Sequence, residues 1–229
     1  MSSFVTPILL RTRDVLRGEP WTIVTRKPYQ ALSFYLTLIV ILGSSYGAVM
    51  GTYAGFGGDR IWQIIYSAVK VPLLLTVTFV VALPSFFVLN TLLGLRQDWS
   101  RVLAALTASQ ATLTILLFSL APLTAVFYAS VANYKMAVLF NGVMFAVASF
   151  GTQRILRKHY VMLIHSNARH RLLLQFWLVI YIFVGVQMGW VLRPFVGDPG
   201  SPTQFFRQGA WSNAYVEVAA MVWGVIVGR

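Results

Sequence analysis

Six apolar stretches, at residues 31–54, 62–93, 101–130, 134–153, 171–192 and 211–228, constrain this chain more than any other feature. A bilayer core about 30 Å thick takes roughly 20 apolar residues to cross as a helix. In hydrocarbon the backbone must bond to itself, which leaves helices as the economical reading of such runs. The expected fold is all-α, a polytopic transmembrane helical bundle of about six spans. Composition agrees: only 10% of residues are charged and 58% are hydrophobic, against about 25% charged in soluble domains. The sixth stretch starts at Trp211 and contains Glu217; it reads as a full span or as a re-entrant or interfacial helix.

The distribution of Lys and Arg orients the bundle. With the N-terminus inside, Arg11, Arg13, Arg17, Arg26, Lys27, Arg96, Arg101, Arg154, Arg157, Lys158, Arg169, Arg171 and Arg229 face inward. Arg60, Lys135, Arg193 and Arg207 face outward. The positive-inside rule therefore places both termini in the cytoplasm, and the compactness of the chain suggests a bacterial inner membrane. The formal charge of +12 is read as this orientation signal rather than as a nucleic-acid footprint, which needs a soluble basic face.

Residues 1–30 form a cytoplasmic, basic N-terminal segment, and 31–229 form a single transmembrane helical domain. The apolar run after the basic residues is too long for a cleaved signal peptide. Thr6 before Pro7 marks a helix start. Phe4, Val5, Ile8, Leu9, Val15 and Leu16 oppose Arg11, Arg13, Asp14 and Arg17, so the segment is expected to lie on the inner membrane face as an amphipathic helix. A disordered basic tail is the alternative.

Lys70 and Glu217 fall within expected spans, where an ionisable group costs several kcal/mol unless paired or hydrated. Gln63, Ser67 and Lys70 follow i, i+4, i+7 spacing, and Asn213 and Glu217 follow i, i+4. Two such stripes facing each other would build an intramembrane polar seam. One reading is an ion, proton or small-solute route; the other is a structural salt bridge between the second and sixth helices. Arg193 competes for Glu217 and would leave Lys70 to snorkel outward.

Gly43, Gly47, Gly51 and Gly55 recur at intervals of four and Gly185 and Gly189 repeat the pattern, the small-residue logic by which membrane helices approach closely. The partner is a neighbouring helix of the same chain or another protein, including a homo-oligomer. Pro72, Pro84 and Pro122 lie inside spans, where neighbouring groups satisfy the freed carbonyls. The line Thr107, Gln110, Thr114, together with Asn141 and Gln187, is read as interhelical hydrogen bonding. The 193–202 connection is dense in turn formers, and Phe205, Phe206 and Trp211 after it are expected as interfacial anchors.

The absence of cysteine excludes disulfides and thiolate chemistry. His159, His165 and His170 sit in an expected basic inner loop, facing headgroups. No zinc-protease, phosphate-loop or dinucleotide signature stands in the chain, so no metal or nucleotide site is expected and the cofactor is open.

The stretch Ala68-Val69-Lys70-Val71-Pro72-Leu73-Leu74-Leu75, continuing through Leu83-Pro84-Ser85 to Phe87-Val88-Leu89-Asn90, resembles bacterial Yip1-like multi-pass membrane proteins. The resemblance covers residues 31 to about 190 and consists of span order and a proline-broken second helix. It implies a helical bundle with a cytoplasmic N-terminus and a role in membrane organisation or as a partner of membrane proteins. The Asp-Leu-Tyr-Gly-Pro element of eukaryotic Yip1 proteins is absent, so no functional residue is carried over. The function expected is a non-enzymatic integral membrane subunit or scaffold, in contact with membrane lipids and other membrane proteins and not with nucleic acid. The alternative is a channel or transporter using Lys70 and Glu217.

Overall fold

The computed structural model describes residues 12–17, 28–207 and 209–216, with side chains in the first long helix from residue 32 onward. Among them are five long helices: α1 (Pro28–Gly51), α2 (Arg60–Leu92), α3 (Trp99–Ser130), α4 (Tyr134–Ser166) and α5 (Arg169–Leu192). All five are long and apolar enough to cross a membrane, and the chain is an integral membrane protein built as an all-helical bundle. Of the expected sixth segment, 214–216 are helical and Glu217 onward lies outside the described residues.

The helices do not pack in chain order. α1 lies against both α2 and α3, α3 against α4, and α2 against α5, while α4 and α5 touch over a smaller region. Every residue from Ala105 to Ile115 is buried, which makes α3 the central helix. Its run of Ala, Ser and Thr there lets neighbours approach on several sides, and its hydroxyls bond back to their own helix, as in Thr112 to Ala108 O at 2.9 Å.

Two core clusters divide the bundle by height. At the end carrying Arg96, Arg101, Arg157 and Arg169, here the basic end, Phe86 of α2, Leu106 of α3, Tyr160 of α4 and Trp177 of α5 belong to one buried cluster. Trp177 is the largest side chain in it, edge-on to Phe86 at 5.0 Å and to Phe79 at 5.8 Å between centroids. At the opposite, loop end the cluster draws on α1 to α4 and on Val196 of the following loop, with Tyr46, Val71, Leu117 and Met144 buried; α5 takes no part. A third cluster seats Val15 of the 12–17 helical turn against Tyr35 and Leu38 of α1 and Ala108 of α3. The apolar side of that turn therefore meets protein rather than lipid; the rest of the expected amphipathic helix lies outside the described residues.

Gly47 and Gly51 are used inside the chain. A Cβ on Gly47 would run into the Ser67 carbonyl oxygen, and one on Gly51 would stand 2.5 Å from Ile64 Cα, both backbone atoms of α2. A Cβ on Gly43 would stand 3.6 Å from Pro72. Gly55 falls beyond the helix at φ +95°, a Cβ on Gly185 would stand 3.6 Å from Thr78 Cγ2, and one on Gly189 would meet open space. The face Gly43–Gly51 is thus occupied by α2 and is not a surface for a second protein.

The structure corrects the expected loop at 154–170. α4 runs unbroken to Ser166, because Leu156, His159, Tyr160 and Leu163 recur at helical spacing and all are buried. A basic exterior hid an apolar stripe. His159 and His170 accordingly do not face headgroups: they are 2% and 0% exposed. The His170 Nε2 lies 3.1 Å from an Asp98 carboxylate oxygen, and Arg169 donates to Leu93 O at 3.1 Å, so the turn before α3 is tied to the start of α5.

Candidate functional site

After α5 the chain leaves helical conformation, and residues 193–207 fold over the loop end without forming a strand or helix. Such a segment carries carbonyls that no ladder satisfies, and buried carbonyls need donors from elsewhere. α2 supplies them from one face. The Arg60 guanidinium donates to the carbonyls of Asp198 (3.0 Å), Pro199 (2.5 Å) and Ser201 (2.9 Å). Gln63 Nε2 donates to Phe195 O at 3.4 Å and to Ser67 Oγ at 3.1 Å. Ser67 Oγ donates to Phe195 O at 2.5 Å, and Lys70 Nζ to Pro194 O at 2.8 Å.

Gln63, Ser67 and Lys70, with Arg60 one turn earlier, thus share one face of α2 and, among the described residues, bond to the loop. Gln63, Ser67 and Lys70 are all at most 2% exposed. Lys70 does not snorkel: its ammonium stays inside, bonded to Pro194 O and 4.9 Å from the Phe205 ring centroid. Carbonyl and aromatic face lower the cost of burying that cation. Among the described residues Lys70 has no ion pair; Glu217 lies outside them. The expected stripe of Asn213 with Glu217 runs outside the described residues. Asn213 Oδ1 accepts from the backbone N–H groups of Tyr215 (2.9 Å) and Val216 (3.4 Å), capping the turn that follows.

The other walls of the loop are equally definite. Gly197 approaches α2 so closely that a Cβ would stand 2.7 Å from Gln63 Cγ and 2.8 Å from Ala54 Cβ. Arg193 lays its guanidinium on Trp190, 3.1 Å from the ring centroid; its expected competition for Glu217 falls on a residue outside those described. Asp198 closes a turn on itself, accepting from Gly200 N at 3.0 Å and Ser201 Oγ at 2.8 Å. Those donors, with Arg60 nearby, hold its pKa below the ordinary carboxylate value. Beyond the loop, Gln187 holds Ser212 O and Ala214 N at 3.2 and 2.9 Å, so 212–214 are pinned to α5. Phe205 packs edge-on to Tyr66, while Phe206 and Trp211 are exposed, Trp211 by 79%.

Because α5 leaves the loop-end core, the loop fills only part of the space between α2 and α4. The remainder is a cavity of about 720 Å³. Its rim is cationic, with Arg60, Lys135, Arg193 and Arg207, against the single acid Asp198. Its depth is apolar, lined by Met50, Leu74, Val138 and Phe145. Phe145 is eleven residues into α4, so the cavity descends roughly 16 Å at helical rise. Asn141 also borders it but is committed elsewhere: its amide nitrogen donates to Ala137 O (2.7 Å) and Tyr128 Oη, and its oxygen accepts from Tyr46 at 3.4 Å.

The sequence offered Arg60, Lys135 and Arg207 only as counts of outward charge. The spacing of Arg60 to Gln63 could have extended the stripe; nothing local could have brought Lys135 and Arg207 to one cavity. Of the line Thr107, Gln110, Thr114, Gln110 bonds to another helix, accepting from Tyr181 of α5 at 2.7 Å, while Thr107 and Thr114 donate to carbonyls of α3 itself.

Fold and site define a multi-pass membrane bundle with a loop-capped, cation-rimmed cavity at one end. The chain matches no protein family, no curated protein and no solved structure.

Proposed function

We propose that this chain is a non-enzymatic integral membrane subunit of a bacterial inner membrane whose working surface is the loop end, facing outward. The observation that carries the reading is the clamp of α2 on residues 194–201, in which four side chains over three helical turns hold a non-helical segment in one conformation. An ordered irregular loop at a membrane surface is a platform for recognition, since loops held by a rigid scaffold carry binding residues. The excess of Arg and Lys at the opposite end supports a cytoplasmic location for that end by the positive-inside rule. The role implied by the Yip1-like resemblance, partnership with other membrane proteins, is of the same kind. With α2 occupying Gly47 and Gly51, a protein partner would meet the loop end or a lipid-facing helix surface instead.

A second reading, a transporter for a small solute, draws support from one feature: the cavity descends along α4 and is bordered by Arg60 and Gln63 of the row that ends at Lys70. Native mass spectrometry of the protein extracted from its own host in nanodiscs separates the two. A reproducible heteromer that disperses when the loop clamp is broken by Arg60→Ala supports the subunit reading. A monomer or pure homo-oligomer overturns it, and solute flux in liposomes that stops with Lys70→Met would then favour transport.

A further inference from the structure

We infer that the loop-end cavity is a binding site for one anionic amphiphile, an acidic membrane lipid whose headgroup sits at Lys135 and Arg207 and whose chain runs down the wall of Met50, Leu74 and Phe145. The inference deepens the proposed function by naming a ligand for the same end of the molecule.

Three observations converge. First, the charge is distributed as an amphiphile requires. Arg60 spends its guanidinium on loop carbonyls and Arg193 lies on Trp190. Lys135 and Arg207 are exposed and, among the described residues, make no side-chain hydrogen bond or ion pair. Asp198, the one acid at the rim, is turned to Gly200 and Ser201. Two available cations over an apolar shaft match an acidic headgroup over an acyl chain.

Second, the depth is right. The rim lies at the ends of α2, α4 and α5, where headgroups sit, and a shaft of roughly 16 Å reaches about half the 30 Å hydrocarbon thickness. A soluble anion would have no use for such a wall.

Third, the α4 wall of the cavity is not covered by the rest of the chain. Val138, which is 44% exposed, and Gly142, also exposed, both line the cavity one turn apart on α4. A Cβ on Gly142 would meet nothing within 4 Å. There is thus room at Gly142 for an acyl chain to lie against α4.

The experiment is native mass spectrometry of the delipidated full chain in detergent, titrated separately with phosphatidylglycerol, phosphatidylcholine and water-soluble glycerol phosphate. The expected result is one phosphatidylglycerol retained per chain, at least tenfold more strongly than phosphatidylcholine. Two variants test the site rather than general surface charge. Gly142→Leu changes no charge and has room for its Cβ; it should cut phosphatidylglycerol occupancy at least tenfold without altering thermal unfolding. Lys135→Gln with Arg207→Gln should abolish the preference over phosphatidylcholine. Equal retention of the two lipids, or retention unaffected by Gly142→Leu, would overturn the inference. So would equally tight binding of glycerol phosphate, which would mark a site for a free anion. A monomer that retains the lipid would sink the subunit reading and leave this one standing; a heteromer that retains none would do the reverse.

Discussion

The two ends of this bundle are closed by different physics. At the basic end four helices converge on Trp177, Phe86, Tyr160 and Leu106, and side-chain packing fills the space. At the loop end α5 takes no part in the core cluster; an irregular segment takes its place and is held by hydrogen bonds from Arg60, Gln63, Ser67 and Lys70. A helix satisfies its own backbone, so it needs only a complementary surface. A loop at the same depth must borrow donors, and its irregular shape leaves a cavity. The end that is harder to build is the end that holds a cavity.

The contrast is broken most severely at the basic end. Trp177→Ala removes the largest core side chain and is expected to cost about 3–5 kcal/mol, read as a fall in the unfolding midpoint in mild detergent while the purified chain still elutes as a single species. An unchanged midpoint would mean that the basic end is not the stable half. Gly47→Leu comes next. Its side chain enters the backbone of α2 at Ser67, and the expected loss is roughly 3 kcal/mol, toward the upper end of overpacking costs; size-exclusion chromatography should show aggregation of the chain itself. A folded monomer that merely loses a partner would return the glycine face to intermolecular packing.

Lys70→Met sharpens the comparison because it touches one end only. It leaves Pro194 O without its donor, a penalty of about 1–3 kcal/mol for a buried group. Hydrogen exchange should rise at 195–201 and stay unchanged across 156–177; a uniform rise would show that the two ends unfold as one unit. The smallest effect is that of acid on Asp198. Its pKa is depressed in the folded chain, by the Gly200 N–H first and then by the Ser201 hydroxyl, so its contribution is present above the unfolded value near 4 and lost as pH falls through the folded one. Exchange at Gly200 and Ser201 should therefore increase as pH is lowered from about 5 toward 3, after correction for intrinsic rates. Asp198→Asn should remove that dependence.

Much of this was legible in the chain before it was folded. The bounds of α2, α3 and α5 fall within two residues of the apolar runs, because hydrocarbon leaves a segment no partner but itself. The stripe Gln63, Ser67, Lys70 was visible for the same reason that it works, since residues one and two turns apart share a face. The extension of α4 past 153 was less visible: Arg154, Arg157 and Lys158 lower the local hydropathy, and only the pocket around Leu156, His159 and Tyr160 shows that the other side is buried.

What the sequence by itself determined is the class of fold and the residues that must find polar company, because those follow from the cost of exposing a backbone or a charge to lipid. Tertiary structure alone decided which company they keep. Lys70 bonds to a carbonyl 124 residues away, Gly47 accommodates α2 rather than another protein, and Lys135 meets Arg207 across a cavity. None of these has a local signal, since each depends on the order in which five similar apolar rods pack side by side, and that order is set by the fit of their small and large side chains across the whole bundle.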